Sequence, residues 1–269
     1  IVWVGTDGGL VKINHVTGTT THFNHANSGI GSNAVQSLGC NPDHELYIGI
    51  SHGYMQRFDE ESFVSFEDET DLSYNISAIV GKENGGVYLG YHCGAIYYNG
   101  EAWTKIDRFP SVSVCRIICP DAATVWFATK SAGAVKLYNG KIFQYTPINS
   151  EIPSTCVYDI CADRTGQIWM ATDQGIACLR GSEWFVYNTE NSDIPSRYCY
   201  AIEADTLGNI WAASGCLVKF DGENWTQYTP RNSDLPGWYV QTIRCDRDNN
   251  IWVGTNQGLV RIGASNWDY

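Results

Sequence analysis

Short apolar runs alternate along the whole chain with turns rich in Gly, Asn, Asp and Pro, and one run recurs seven times. Its aromatic residue returns every 38 to 44 positions. No stretch has the i, i+3, i+4, i+7 apolar spacing of a helical repeat. The period and the β-rich runs are typical of propeller blades. The seven copies are IVWVGT from Ile1, ELYIGI from Glu45, GVYLGY from Gly86, TVWFAT from Thr124, QIWMAT from Gln167, NIWAAS from Asn209 and NIWVGT from Asn250.

Each period resolves into four strand-sized runs, which in the last copy are 240–245, 251–255, 259–262 and 267–269. The second, third and fourth types occur in all seven copies, whereas the first type begins only near Val35, Ile76, Val114, Val157, Cys199 and Val240. The count is one strand short of seven four-stranded blades. We therefore predict an all-β, seven-bladed β-propeller of four-stranded antiparallel blades whose first blade lacks its inner strand. The expected single domain is 1–269, with blades at approximately 1–23, 34–66, 76–106, 113–146, 156–187, 198–228 and 239–269.

The best-preserved copies are DRTGQIWMATDQGI from Asp163, DTLGNIWAASGCL from Asp205 and DRDNNIWVGTNQGL from Asp246. They resemble the two-component-regulator propeller repeat of bacteria, in which D-x-x-G-N precedes I-W-V-G-T and G-L. The resemblance covers essentially the whole chain and is weaker in the second and third copies, where Tyr47 and Tyr88 replace Trp. It implies a sensor-type, extracytoplasmic domain, periplasmic or at the cell surface, that binds a ligand or docks a protein. Because the sequence shows no kinase, the resemblance implies nothing about signalling output.

Composition narrows the classes of partner. The formal charge of −12 argues against a nucleic-acid binder, which needs clustered cations. No apolar run approaches the ~18 residues that a membrane helix needs, so no membrane span is predicted. The chain starts at Ile1 without Met or a signal-like segment, which is expected of a mature or excised piece. We predict no cofactor and no metal site.

Ten cysteines are unusual for an extracytoplasmic protein. Cys40, Cys119 and Cys245 share a repeat position that holds Ala162 and Ala204 in other blades. A position shared with Ala predicts small buried side chains and mostly free thiols. Free thiols favour a reducing compartment or the envelope of an anaerobe.

Two repeated features have structural interpretations. The Asp-x-x-Gly turns at Asp163, Asp205 and Asp246 lack the ligand set of an EF-hand loop. We therefore expect each Asp to accept backbone N–H groups within its own turn. The Trp and Tyr residues of the recurrent hexapeptide are expected to pack between adjacent blades, because a binding residue in a repeat protein departs from the repeat.

Candidate binding residues are those that depart from the repeat on one face. Strand alternation places the linkers between blades and the turns between second and third strands on the same face, around the expected channel mouth. Aligned linkers give the variable column Asn33, Tyr74, Val112, Thr155, Arg197 and Trp238, followed by Ala34, Asn75, Ser113, Cys156, Tyr198 and Tyr239. From these columns and the inner strands we predict a ligand-binding set. Its members are Arg197, Tyr198, Trp238, Tyr239, Tyr74 and Arg116.

Two function classes remain. The first is a non-enzymatic recognition domain for a glycan, an oligosaccharide, a small molecule or a protein partner, because aromatic faces and a guanidinium suit sugar rings or carboxylates. The second is a polysaccharide lyase, whose proton transfer beside a uronate needs Tyr or His and a cation. His52, Tyr74, His92 and Arg116 are the candidates for that chemistry. The first class is favoured, and it assigns no catalytic residue.

Overall fold

A computed structural model of the 269-residue chain describes residues 1–41, 45–51, 55–66, 75–82 and 85–263. Every regular element in these residues is a β-strand, and the strands form seven small antiparallel sheets, as in a β-propeller. The chain divides into two compact units. Unit 1 is Ile1–Val125 with Tyr138–Ile142, and unit 2 is Trp126–Leu137 with Phe143–Tyr269. The fold class predicted from the repeat is therefore confirmed.

The first three sheets belong to unit 1 and have the orders β1-β2-β3, β4-β5-β6-β7 and β8-β9-β10-β11. Their strands are β1 (Val2–Thr6), β2 (Gly9–Asn14), β3 (Thr19–Phe23), β4 (Val35–Cys40), β5 (Leu46–Ile50), β6 (Met55–Phe58), β7 (Phe63–Ser65), β8 (Ile76–Gly81), β9 (Val87–Tyr91), β10 (Gly94–Tyr98) and β11 (Trp103–Lys105).

The fourth sheet, β12-β13-β14-β15, contains the boundary between the units. The last three sheets lie in unit 2 with the orders β16-β17-β18-β19, β20-β21-β22-β23 and β24-β25-β26. The strands of these four sheets are β12 (Val114–Ile118), β13 (Thr124–Thr129), β14 (Ala134–Tyr138), β15 (Lys141–Tyr145), β16 (Val157–Ala162), β17 (Ile168–Thr172), β18 (Gly175–Arg180), β19 (Glu183–Tyr187), β20 (Ile202–Ala204), β21 (Ile210–Ala213), β22 (Leu217–Phe220), β23 (Trp225–Tyr228), β24 (Val240–Cys245), β25 (Ile251–Thr255) and β26 (Gly258–Ile262).

The first blade has three strands, as predicted from the strand count. The strand expected at 267–269 lies outside the described residues. One predicted boundary was wrong: the inner strand of the sixth blade begins at Ile202 rather than near Cys199. The Cys199 N–H is bonded to the Thr172 carbonyl of the preceding blade, and the Ile202 N–H is bonded to the Asp159 carboxylate. The Tyr200 N–H still bonds to the Ala213 carbonyl, and the Ala213 N–H bonds to the Ala201 carbonyl, so the chain before Ile202 stays paired with β21 without being regular strand.

The recurrent aromatic residue packs from its own blade onto the next one. In unit 2, Trp169 of β17 joins a buried cluster with Ile202 and Phe220 of the following blade. Trp211 of β21 joins the equivalent cluster with Ile243. Both indoles are at most 3% exposed, so each buries a large apolar area. The prediction that these rings pack between blades is confirmed.

The Asp turns accept backbone N–H groups, as predicted, and they also bind the repeated Trp. Asp205 accepts from the backbone N–H of Leu207 and Asn209 through one carboxylate oxygen. Its other oxygen accepts from Trp211 Nε1 at 3.0 Å. Asp163 and Asp246 bind Trp169 and Trp252 in the same way. The carboxylate thus fixes the hairpin and satisfies the indole N–H.

The second blade replaces this arrangement with other residues. Asn41 stands in place of Asp and accepts the Glu45 N–H at 3.0 Å. Tyr47 stands in place of Trp, and its hydroxyl donates to the Glu45 carboxylate at 3.1 Å. Glu45 therefore supplies the carboxylate that Asp supplies in the later copies.

The shared cysteine position is less buried than predicted. Cys40 is exposed, while Cys119 and Cys245 are half-buried, because the position lies where the first strand ends at the hairpin. The fully buried thiols lie elsewhere, in one core cluster of unit 2. These free thiols are Cys161, Cys178, Cys199 and Cys216.

Candidate functional site

Three linkers of unit 2 have the same internal scaffold. In the linker after β15, Asn149 accepts the Thr146 N–H at 2.8 Å and donates to the Gln144 carbonyl at 2.9 Å. Ser150 donates to the Thr146 carbonyl. Asn191 and Asn232 make the matching bonds after β19 and β23. Side-chain bonds of this kind hold a loop without secondary structure in one conformation.

The scaffold exposes a different side chain at the same point of each loop. The scaffold begins at the residue whose N–H the Asn side chain accepts, which is Thr146, Asn188 or Thr229. Two positions further on, the three loops carry Ile148, Glu190 and Arg231. All three are exposed, and Ile148 is 96% exposed. Loops held by a rigid scaffold commonly carry binding residues. The sequence analysis missed these positions, although alignment of TPINS, NTENS and TPRNS would have identified them.

The linkers end beside the turns that connect second and third strands. The Gly133 N–H is bonded to the Thr155 carbonyl at 2.8 Å, and the Gly175 N–H is bonded to the Arg197 carbonyl at 2.6 Å. The Asn256 N–H is bonded to the Tyr239 carbonyl at 3.2 Å. Within unit 2, linker ends and these turns therefore form one surface, which we call the linker face.

Arg197 and Tyr198 form a contact pair on the linker face. The guanidinium lies 4.7 Å from the Tyr198 ring centroid and donates to the Tyr198 hydroxyl at 2.7 Å. It is also 3.5 Å from Gln174 Oε1, in the turn of the preceding blade. The Tyr198 ring is parallel to that of Tyr200, with centroids 6.4 Å apart and an interplanar angle of 8°. Tyr200 in turn meets Tyr158 at 5.0 Å.

Trp238 and Tyr239 lie in the next linker. Trp238 is 43% exposed, and the Arg231 guanidinium lies 5.6 Å from its ring centroid. Tyr239 is 74% exposed. On the linker face, two guanidinium groups thus lie beside exposed aromatic rings, Arg197 with Tyr198 and Arg231 with Trp238. Arg231 was not among the predicted residues.

The inner strands beneath this face are joined by a charged network. Arg244 on β24 lies 3.5 Å from Asp159 on β16 and 3.5 Å from Glu203 on β20. Burial alone would lower the pKa of Arg244, but the two carboxylates raise it, so the guanidinium stays charged. Asp159 also accepts the Ile202 N–H at 3.1 Å. The network thus joins the inner strands of three blades.

The remaining predicted residues are in unit 1. Tyr74 and His52 lie outside the described residues. Arg116 is half-buried on β12, and His92 is exposed after β9, with its ring 6.3 Å from that of Tyr91. The proposed grouping of His52, Tyr74, His92 and Arg116 stays a prediction.

Comparison with known structures shows the same fold in bacterial surface and lyase proteins. The extracellular domain of a hybrid two-component system from B. thetaiotaomicron is 19% identical, with a TM-score of 0.76 over 96% of this chain and 36% of that one. Virginiamycin B lyase from Staphylococcus aureus is 12% identical, with a TM-score of 0.77 over 96% and 89%. PorZ, a surface component of the type-IX secretion system of Porphyromonas gingivalis, is 16% identical, with a TM-score of 0.66 over 88% and 40%.

This chain therefore spans about a third of the length of the B. thetaiotaomicron extracellular domain that it resembles. No curated protein matches the sequence. No helix in the described residues is long and apolar enough to cross a membrane. The family model of the two-component regulator propeller matches residues 151–174 and 235–257, which include the linker ends before β16 and β24. These two segments of the chain therefore match the two-component regulator propeller repeat.

Proposed function

We propose that this chain is a non-enzymatic recognition domain of the extracytoplasmic sensor type. Its ligand, a glycan, an oligosaccharide or a protein segment, binds on the linker face of unit 2. The contact residues are Arg197, Tyr198, Trp238 and Tyr239, with Arg231 added by the structure. Tyr74 and Arg116 are secondary candidates in unit 1.

The observation that carries the proposal is a contrast in exposure. The repeated Trp126, Trp169 and Trp211 are at most 3% exposed. The aromatic side chains that depart from the repeat at the linker ends are 38% exposed at Tyr198 and 74% at Tyr239. Exposing large rings has no benefit for folding, whereas flat rings with a polar edge are effective contact groups. This contrast favours binding over a purely structural role.

The chemistry of the surface limits the ligand classes. A guanidinium beside a tyrosine ring can donate paired hydrogen bonds to a carboxylate or to vicinal hydroxyl groups. The neighbouring ring faces can stack on the C–H face of a sugar or on an apolar side chain. Net charge −12 disfavours strongly anionic polymers except where Arg197 and Arg231 supply local positive charge.

The first test is a glycan-array screen followed by titration of each hit with variants. Trp238→Ala should weaken binding by about ten- to thirtyfold, since a stacked aromatic ring at a moderately exposed site contributes about 1–2 kcal/mol. Its melting temperature should stay nearly unchanged, because the ring is 43% exposed. For an anionic ligand, the loss caused by Arg197→Ala should shrink at high salt.

Phe143→Ala is the matched control, because Phe143 is 44% exposed and lies on the outer strand β15 rather than in a linker. It should leave affinity unchanged. An array without hits, combined with unchanged capture of a protein partner by Trp238→Ala, would contradict the proposed surface.

The lyase hypothesis makes a different prediction. Incubation with acidic polysaccharides would release an unsaturated product that absorbs in the ultraviolet, and His92→Ala would abolish the release. The recognition hypothesis expects no such product. The fold shared with virginiamycin B lyase at 12% identity does not favour either outcome.

A further inference from the structure

Asp173 is an acidic residue of the linker face that the proposed recognition surface does not use. It lies in the turn between β17 and β18, next to Gln174, which contacts Arg197. Its side chain is half-buried, and its Oδ1 atom is buried without a hydrogen-bond partner. Within the described part of the chain, no hydrogen bond or ion pair of the Asp173 carboxylate is found.

The turn itself does not need this carboxylate. Thr172 Oγ1 donates to the Gly175 carbonyl at 2.7 Å and accepts the Gln174 N–H at 3.1 Å. The equivalent turn of the last blade has Asn256 in place of Asp173, and Thr255 makes the same two bonds. An aspartate therefore has no role in the turn that an asparagine could not fill.

Sheet register places Asp173 beside a group of polar and aromatic side chains. Val157 pairs with Thr172, so Cys156 and Asp173 come next to each other at the same end of the β16–β17 ladder. Tyr158 is the bulged residue of β16. The Cys199 N–H is bonded to the Thr172 carbonyl, which brings Tyr200 to the same end.

The neighbouring hydroxyl and thiol are engaged with each other. Tyr158 is hydrogen-bonded to Cys156, a bond that together with burial raises the pKa of the Tyr158 hydroxyl. Burial raises the pKa of the Cys156 thiol most, and the charge of Asp173 raises it further, while the bond to Tyr158 and the Lys130 ammonium lower it. The effect of the Asp173 charge agrees with the short separation implied by the register. Lys130 makes no ion pair with Asp173 within the described residues. The guanidinium of Arg197 is bound by Tyr198 and Gln174.

A half-buried carboxylate without a partner is costly, and the cost is relieved by a bound cation. The rings of Tyr158 and Tyr200 are 5.0 Å apart and inclined at 48°. The charge of Asp173 also raises the pKa of the Tyr158 hydroxyl, as expected if this pair lies close to the carboxylate. Tyr200 is 52% exposed, so its face is accessible from solvent. Aromatic faces attract cations, and a negative net charge increases the local concentration of cationic ligands.

We propose that Asp173, with Tyr158 and Tyr200, forms a subsite for an organic ammonium group of a ligand, such as an amino sugar, a polyamine or a lysine side chain. The carboxylate accepts hydrogen bonds from the N–H groups, and the two rings contact the adjacent carbon atoms. The subsite goes beyond the proposed recognition surface, because none of its three residues belongs to that surface.

The test measures binding of n-butylammonium chloride by saturation-transfer NMR titration at constant ionic strength. The uncharged compound n-butanol is titrated in the same way for comparison. The whole 269-residue chain should bind the ammonium and not the alcohol. Asp173→Asn should weaken ammonium binding by about tenfold or more, because a charge-assisted hydrogen bond is lost. Tyr200→Leu, which removes the aromatic ring, should also weaken ammonium binding, whereas Tyr200→Phe, which keeps the ring, should leave ammonium binding unchanged.

Asp7→Asn is the matched control. Asp7 is exposed and occupies the corresponding turn of the first blade. Asp7→Asn removes one negative charge, as Asp173→Asn does. It should leave ammonium binding unchanged. Trp238→Ala should also leave it unchanged, so failure of the proposed recognition surface and failure of this subsite give different results.

Equal ammonium binding by the unsubstituted chain and by Asp173→Asn would overturn the proposal. Absence of ammonium binding would overturn it as well. Binding of Ca²⁺ or Mg²⁺ that Asp173→Asn removes, without any binding of ammonium, would replace it with a metal site. Thermal unfolding of each variant separates a binding loss from a folding defect, and the Asn256 turn predicts that Asp173→Asn folds normally.

Discussion

The bond between Asp205 and Trp211 gives the sharpest prediction about stability. Asp205 is 5% exposed and Trp211 is 2% exposed, so water does not reach the bond between them. Asp205→Ala removes the acceptor of the buried indole N–H at 3.0 Å and of the Asn209 N–H at 2.8 Å. The N–H of Leu207 loses its acceptor too, but the Leu207 residue is 64% exposed and water can replace it.

The expected cost follows from these bonds. A buried donor left without its acceptor costs about 1–3 kcal/mol, and the Asn209 N–H adds a smaller amount. We expect Asp205→Ala to lower the free energy of unfolding by about 3 kcal/mol. For a chain of this size that corresponds to a melting temperature lower by roughly 6–12 °C.

Urea titration followed by tryptophan fluorescence and calorimetry measures both quantities. Asp221→Ala is the comparison, because Asp221 caps the hairpin after β22 through the N–H groups of Glu223 and Asn224. Among the described residues it accepts no hydrogen bond from an indole. The loss for Asp205→Ala should be clearly larger. Trp211→Phe removes the indole N–H. In a chain that already carries Trp211→Phe, the free-energy loss caused by Asp205→Ala should therefore be about 1–2 kcal/mol smaller than in the unsubstituted chain. Equal losses for Asp205→Ala and Asp221→Ala, or strict additivity with Trp211→Phe, would refute the reasoning.

Two further predictions concern titration and thiols. Burial raises the pKa of Asp163 and Asp246, but hydrogen bonds, including those from Trp169 and Trp252, outweigh it and hold both below the ordinary value. The contribution of these two carboxylates to stability should therefore be constant above about pH 5 and be lost as the pH drops below about 4. In urea titrations between about pH 3 and pH 6, the acid-side fall should be shallower for Asp163→Asn. Burial raises the pKa of Cys178 to about 11, so Cys178 and buried Cys199 should react with a disulfide reagent far more slowly than exposed Cys93. In denaturant more than half of the ten cysteines should titrate as free thiols, and a disulfide-bonded majority would contradict this.

The repeat made the fold predictable, because the same apolar pattern recurs in every copy and each copy supports the interpretation of the others. The hairpin role of Asp163 was predictable for the same reason. The exposure of Cys40 was not predictable. A position shared between repeats gives the register of a residue in its strand, but it does not give the solvent exposure of a side chain where the strand ends. The bond from the Ile202 N–H at the start of β20 to Asp159 was not predictable either, because the two residues are 43 positions apart in sequence and no local pattern contains the pair.

Comparison of the linkers indicates where recognition is concentrated. The first linker has the same scaffold as the three in unit 2: Asn27 accepts the Asn24 N–H at 2.8 Å and donates to the His22 carbonyl at 3.0 Å. At the point where the others expose Ile148, Glu190 or Arg231, it has Ala26. Folding of the linker therefore needs only the Asn scaffold and tolerates a minimal side chain at this point. The large apolar, acidic and basic side chains at the same point in unit 2 are not required by the scaffold. They stand on the face that carries Tyr198, Trp238 and Asp173, which favours unit 2 as the part of the chain that contacts a ligand.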